Sequence, residues 1–430
     1  MSSRPLRDFL LVKVKSLEAR ARRLAALTPE TVGIRPQDRP YAPSAAHFDA
    51  ANRRLGAIDR DIHRRLQFLQ RHWQTAAPQQ ALVYTALVER DVDRARRAFG
   101  MFFEVFSQRG SVFAPALASH DAIAADCYAV IRSAAPQVFR GPLLKPICYM
   151  EHGYSPATMR RGVALSRLLG EANPFPVIRI PWDRDNPWQA VFLHEVAHNL
   201  QADLGLWHEN QEAVSTRLLQ AIGDPLVTTV YRRWHKEIFA DLAAALLGGP
   251  ASVWGMMEFL AHPGPRTLTY RPGGAHPTGY FRILILAEML RRMGFDADAA
   301  RVKTVWARLY NPDRGHRLPP RLLSTSSRTI PQVVDEMAFQ TRRNLAQRAL
   351  VDVIPFSARD EAVIKQAAAA LARGTIPANV PPRFLVSACR YAIEKGVSLP
   401  ALSRRVIRHL ATIAGRQAAG PGAAPLRAAA

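Results

Sequence analysis

His194-Glu195-Val196-Ala197-His198 is the stretch on which the reading of this chain turns. Two histidines four positions apart lie about one helical turn from each other, so on a helix both imidazoles leave the same face. That is how a rigid element offers two nitrogen ligands to a zinc ion. Glu195 sits beside the first ligand, where its carboxylate can take a proton from an activated water. Asn186-Pro187 reads as an N-cap and first-turn proline, and Trp188 to Leu193 as an apolar run leading into the motif. Val196, Ala197, Asn199 and Leu200 bring no charge beside the histidines, as expected of a helix buried around a metal. The alternative, a core helix with hydrogen-bonded histidines, leaves a buried glutamate between them with no cation to offset it. The pentapeptide therefore predicts a zinc hydrolase, with peptide bonds the foremost substrate.

A catalytic zinc takes a third protein ligand and keeps one position open. One large class of zinc proteases has a further histidine six residues after the motif, but Leu204 stands there. Asp203 is turned away from the histidine face by the helical period, and His208, beyond Gly205, starts the next segment. The better third ligand is Glu237, in Glu237-Ile238-Phe239-Ala240-Asp241. This segment reads as an apolar helix opening at Asp224-Pro225 and ending at Gly248-Gly249-Pro250. Glu237 and Asp241 are i and i+4, so one can bind metal while the other orients a ligating imidazole.

A third segment, His276-Pro277-Thr278-Gly279-Tyr280-Phe281-Arg282-Ile283, follows a Pro- and Gly-rich loop and begins another apolar helix. The order HExxH, ExxAD, HPxxxxRI resembles the zinc metallopeptidases of the HtpX and CAAX prenyl protease group, zincins whose third ligand is a glutamate. The resemblance covers residues 185 to 290. It implies zinc on His194, His198 and Glu237, catalysis by Glu195, Asp241 supporting a ligand, and His276 and Arg282 in the wall of the site. His276, Tyr280 and Arg282 are the candidates for stabilising the oxyanion. The best-known members of that group carry transmembrane helices around the site. Here the longest uncharged stretch near the motifs, Leu242 to Met257, is short and broken by Gly248-Gly249-Pro250, so no membrane span is expected.

With 430 residues, 48% of them hydrophobic, the chain can bury a sizeable core. Cys127, Cys148 and Cys389 are far apart and form no CxxC, which points to a reducing compartment without a disulfide framework. The N-terminal apolar run Phe9 to Val12 is too short for a secretory signal, and the cytoplasm is the expected location. The net charge of +23 comes largely from arginine pairs such as Arg53-Arg54, Arg64-Arg65 and Arg404-Arg405. Beside apolar residues these read as solvated faces of amphipathic helices. An anionic partner, nucleic acid or membrane surface, is the competing explanation.

The expected fold is mainly α with a small sheet (α+β): a zincin-like core between helical flanks. Residues 1–145 form an N-terminal helical region, with helices at Leu6 to Leu27, Ala45 to Trp73 and Gln79 to Gln108. Residues 146–320 form the zinc domain, in which Pro176 to Pro181 reads as an edge strand beside the active-site helix. Residues 321–413 are helical, with breaks at Pro355, Gly374 to Pro382 and Pro400, and 414–430 read as a disordered tail. The expected activity is a zinc metalloendopeptidase with Glu195 as general base, acting on a protein or peptide. A different class, a catalytically silent zinc-stabilised domain binding an anionic partner through basic helices, leaves Glu195 without a purpose.

Overall fold

The computed structural model describes residues 4–22, 26–73, 75–139, 143–153, 156–165, 171–182, 189–312 and 318–419. The fold is mainly α with a small three-stranded sheet, as the sequence predicts. Its contacts divide the chain into two units that do not follow the three sequence regions. One comprises Met1–Ala114, Arg161–Pro176 and Arg416–Ala430; the other comprises Pro115–Arg160 and Val177–Gly415.

The first unit is built on α1 (Arg4–Arg22), α2 (Ala45–His72) and α3 (Pro78–Ser107). The second and third match the predicted helices to within a residue, because each carries a long apolar stripe at helical period. α1 closes at Arg22, and Leu27, expected inside it, lies beyond it and outside any helix. Phe175 explains why 161–176 belongs with these helices. It is buried among Phe102 and Phe106, at 5.9 Å from each ring, with the His47 ring edge-on at 5.2 Å. The same segment pairs β3 (Ala164–Leu165) with β4 (Glu171–Ala172).

The second unit holds α4 (Ala114–Ala134), β1 (Ile147–Met150), β2 (Ala157–Met159) and β5 (Val177–Ile180). Its further helices are α5 (Val191–Asp203), α6 (Leu206–Ala221), α7 (Pro225–Leu260), α8 (Gly264–Thr267), α9 (Gly279–Arg292) and α10 (Asp296–Leu309). They are followed by α11 (Pro320–Val334), α12 (Leu350–Val353), α13 (Ala358–Ala372), α14 (Pro382–Glu394) and α15 (Leu399–Ala419). α7 is the core of the unit, with α5, α6, α9 and α14 packed around it. The C-terminal helices therefore belong with the motif-bearing ones, joined through this shared helix. Pro400, expected to break the chain, is the second residue of α15, where its missing N–H is harmless. α15 also continues past residue 414, and the rest of the predicted tail, 420–430, lies outside the described residues.

The sheet order is β1-β5-β2, with β1 parallel and β2 antiparallel to β5. The edge-strand expectation for residues 176 to 181 is thus corrected: β5 is central. Pro176 and Pro181 flank it without interrupting it, so the residues between them keep the N–H groups a central strand needs. The outer strand facing α5 is β2, three residues with no alternating pattern to announce them.

α7 opens where the sequence puts it, with the Asp224 carboxylate accepting from the N–H groups of Leu226 and Val227 at 2.9 and 3.2 Å. It does not end at Gly248-Gly249-Pro250. Gly249 takes a left-handed φ of 66° and the helix kinks and resumes. The carbonyls freed by the kink find other donors: Ser387 Oγ donates to Gly248 O at 2.5 Å, and Ser252 Oγ to Ala244 O and Gly249 O at 3.1 and 2.9 Å. The kink joins two stretches into one helix that by length and composition alone could cross a membrane, contrary to the shorter segment expected. Its most apolar window is 89% buried within the protein, as in a core helix.

Candidate metal centre

α5 carries the HExxH motif. It begins at Val191, and the predicted cap at Asn186-Pro187, with Trp188, lies outside the described residues. It stops at Gly205, whose left-handed φ of 68° turns the chain into α6. That stop puts His208 on α6, exposed. Asp203 accepts a hydrogen bond from the Tyr128 hydroxyl at 2.7 Å. Neither belongs to the cluster around the histidine pair.

Glu237 does. His194, His198 and Glu237 form a group whose donor atoms all lie within 4.8 Å of one another and could hold a metal ion. The Nε2 atoms of the two histidines are 3.1 Å apart, and Glu237 Oε2 and Oε1 lie 3.4 and 3.6 Å from His194 Nε2 and His198 Nε2. A tetrahedral ion with bonds of about 2.0–2.2 Å holds its donors about 3.3–3.6 Å apart, close to these separations, the two Glu237 distances being to different oxygens of its carboxylate. Glu237 and His194 are buried, and the His198 side chain is 13% exposed.

Behind the ligands, Asp241 is fully buried. Its Oδ1 accepts from His194 Nδ1 at 2.9 Å, which fixes the tautomer that leaves Nε2 with its lone pair toward the cluster. Arg282, on α9, grips the same carboxylate with two nitrogens, Nε to Oδ2 at 2.8 Å and Nη2 to Oδ1 at 2.6 Å. α9 is in turn started by Thr278, whose hydroxyl accepts from Phe281 N–H. Three elements thus converge on one point: α5 and α7 bring the cluster residues, and α9 brings the cation that balances Asp241.

Burial opposes charge on His194, but Asp241 and Glu237 outweigh it and hold the imidazole up to about 9, so a metal ion would displace the proton on Nε2 while Nδ1–H stays on Asp241. For His198 burial dominates and pushes it down to about 4, keeping the ring neutral and its lone pair available. Burial also raises the Asp241 carboxyl, but Arg282 and His194 overcome it, so Asp241 stays ionised. Glu195 is buried at the pocket wall, and desolvation, with Glu237 nearby, drives its carboxyl up to about 7.

A cavity of about 340 Å³ opens over these groups. Ala157 and Thr158 of β2, Arg160, Trp207, Lys236, Phe259, His276 and Arg282 line it beside Glu195 and the three cluster residues. The His276 side chain is 70% exposed, and its Nε2 approaches Glu237 Oε1 to 3.5 Å, so it stands at the mouth of the site. Arg282 is in the wall, as expected. Tyr280 is not among the lining residues: two positions before Arg282, it is roughly 200° away around α9. Arg160, Trp207 and Lys236 were not legible as site residues in the sequence. A lone basic residue after a short strand and a tryptophan in a first helical turn form no motif. The three cysteines are all free and buried. Compared with known protein families, characterised proteins and solved structures, the chain matches none.

Proposed function

We propose that this protein is a zinc-dependent metallopeptidase with a zincin-like core, in which His194, His198 and Glu237 hold the ion and Glu195 is the general base. The observation that carries the reading is the cluster of His194 Nε2, His198 Nε2 and the Glu237 carboxylate, with closest approaches of 3.1 to 3.6 Å, formed by HExxH and a glutamate from a second helix. Two imidazoles and one carboxylate suit zinc, and three protein ligands leave the open position that a structural site closes. The same residues carry the resemblance to the HtpX and CAAX prenyl protease group. Zinc at such a site supplies a Lewis acid that polarises the scissile carbonyl and acidifies water.

The chain's own residues do the rest. Glu195, with its carboxyl raised toward neutrality, takes a proton from water as the oxygen adds to the carbonyl carbon, and returns it to the leaving amine as the C–N bond breaks. Asp241 and Arg282 keep the His194 ring in one orientation throughout. For the oxyanion donor we favour His276, which stands at the mouth beside Glu237, whereas two nitrogens of Arg282 are engaged by Asp241.

The test is elemental analysis of purified protein together with cleavage of a broad peptide library. About one zinc per chain is expected, lost in His194→Ala and His198→Ala. Glu195→Gln should keep the zinc and lose hydrolysis by several orders of magnitude, since an amide cannot shuttle the proton. Turnover retained in Glu195→Gln, or protein that takes up no divalent metal, overturns the reading. His276→Ala should lower kcat about 10²–10³-fold with zinc content unchanged, and an unchanged kcat would remove His276 from that role.

A further inference from the structure

Part of the pocket wall has no place in the hydrolytic machinery, and it is cationic. Arg160 directly follows β2, Lys236 directly precedes the ligand Glu237 on α7, and Trp207 lies in the first turn of α6. The Arg160 guanidinium sits over the Trp207 ring at 4.3 Å from its centre, and the Lys236 ammonium at 5.7 Å from the same centre. The two charges are therefore no more than about 10 Å apart, and all three residues line the cavity. Burial already lowers the Arg160 pKa, so this cation is partly stripped of water and gains more from an anion than a surface arginine would. A second cavity of about 380 Å³ shares Phe259, His276 and Arg282 with the first and adds Arg266 and Arg271, so the basic lining continues past the site.

The architecture of the sheet suits an extended polypeptide along this wall. Among the described residues β2 is one of the two outer strands, and its Ala157 and Thr158 line the cavity. An extended chain can add to such an edge through main-chain hydrogen bonds, which a nucleic acid cannot do. A peptide laid along β2 meets Arg160 where the strand ends. Resting on the metallopeptidase reading, we propose that Arg160 and Lys236, organised by Trp207, bind the side-chain carboxylate of a Glu or Asp near the scissile bond, so that the substrates are acidic segments of polypeptide. The continuation of the cavity beyond the metal site favours an internal acidic residue over a chain terminus.

The experiment measures binding apart from turnover. Zinc-loaded full-length Glu195→Gln protein is titrated into fluorescein-labelled, C-terminally amidated decapeptides, in which a single Glu, Gln or Lys is walked through an otherwise uncharged sequence. Anisotropy should show, at one position, Glu bound about tenfold or more tightly than Gln, and Lys most weakly. Adding Arg160→Gln or Lys236→Gln should shrink the Glu–Gln gap to about threefold or less, with zinc content and circular dichroism unchanged, and Arg160→Glu should favour the Lys peptide. Equal binding of Glu and Gln peptides at every position, no binding at millimolar peptide, or a preference that survives both substitutions overturns the proposal. So does a free C-terminal carboxylate that replaces the internal Glu, or a short RNA that displaces the peptide through Arg160. Acid-selective binding that depends on Arg160, with no cleavage by wild type, would support the subsite and refute the peptidase reading.

Discussion

Asp241 is what turns two histidines and a glutamate into an organised centre. One of its oxygens accepts from both His194 and Arg282, so a single buried carboxylate sets a ligand's tautomer and is itself held by a buried guanidinium. Removing the cation leaves that carboxylate charged with its main counter-ion gone. Arg282→Met should therefore lower stability by about 3–5 kcal/mol, the usual result of breaking a buried pair from one side. It should also weaken zinc binding by about 10–100-fold, because His194 loses its fixed orientation. Urea denaturation and competition against a chromophoric chelator measure the two effects, and a variant as stable as wild type would show that Asp241 does not depend on Arg282. Much of this was legible beforehand. HExxH and ExxAD place their side chains by helical period alone, and a period of 3.6 residues is a local property. How Asp241 is neutralised was not legible, since Arg282 reaches it from a helix 41 positions away.

The elements around the site show where sequence pattern stops being informative. α2 and α3 are readable to within a residue, because a long apolar stripe specifies a helix regardless of its neighbours. β2 is three residues long and takes its conformation from pairing with β5, so no pattern marks it. Gly248-Gly249-Pro250 reads as a helix end on propensity, yet surrounding side chains supply the hydrogen bonds that let α7 continue. This kink is tightly packed. A Cβ on Gly249 would lie 2.2 Å from Phe356 Cζ, at a φ where L residues are strained in any case. Gly249→Ala should cost about 3 kcal/mol or more, combining backbone strain with overpacking of the core around α7. The same substitution at Gly100, inside α3 with nothing within 4 Å of its would-be Cβ, should instead stabilise by about 0.5–1 kcal/mol. Denaturation midpoints of the two variants should move in opposite directions, and a shift of the same sign in both would refute the account of the kink.

The division of the molecule was the least legible property, because it depends on contacts between distant segments. The chain starts in one unit, passes into the other, returns at residues 161–176, leaves again and comes back at 416, guided by buried side chains such as Phe175. Composition cannot reveal such a path: the arginines that raise the net charge to +23 are spread along the whole chain. One consequence of the division concerns metal. Every cluster residue, the Asp241–Arg282 pair and the pocket wall belong to the unit formed by 115–160 and 177–415. An ion bound by α5 and α7 links two helices of that unit's core, so its binding free energy adds to the stability of the folded unit. At free zinc about a thousandfold above Kd the gain is about 4 kcal/mol. Removing zinc with a chelator should therefore lower the melting temperature and speed amide hydrogen exchange most in α5, the first half of α7 and the start of α9. Those are the segments that bring His194, His198, Glu237, Asp241 and Arg282 together. Hydrogen exchange followed by mass spectrometry resolves them, and unchanged protection of the peptides spanning residues 191–203 and 225–248 after zinc removal would exclude a metal held at this site.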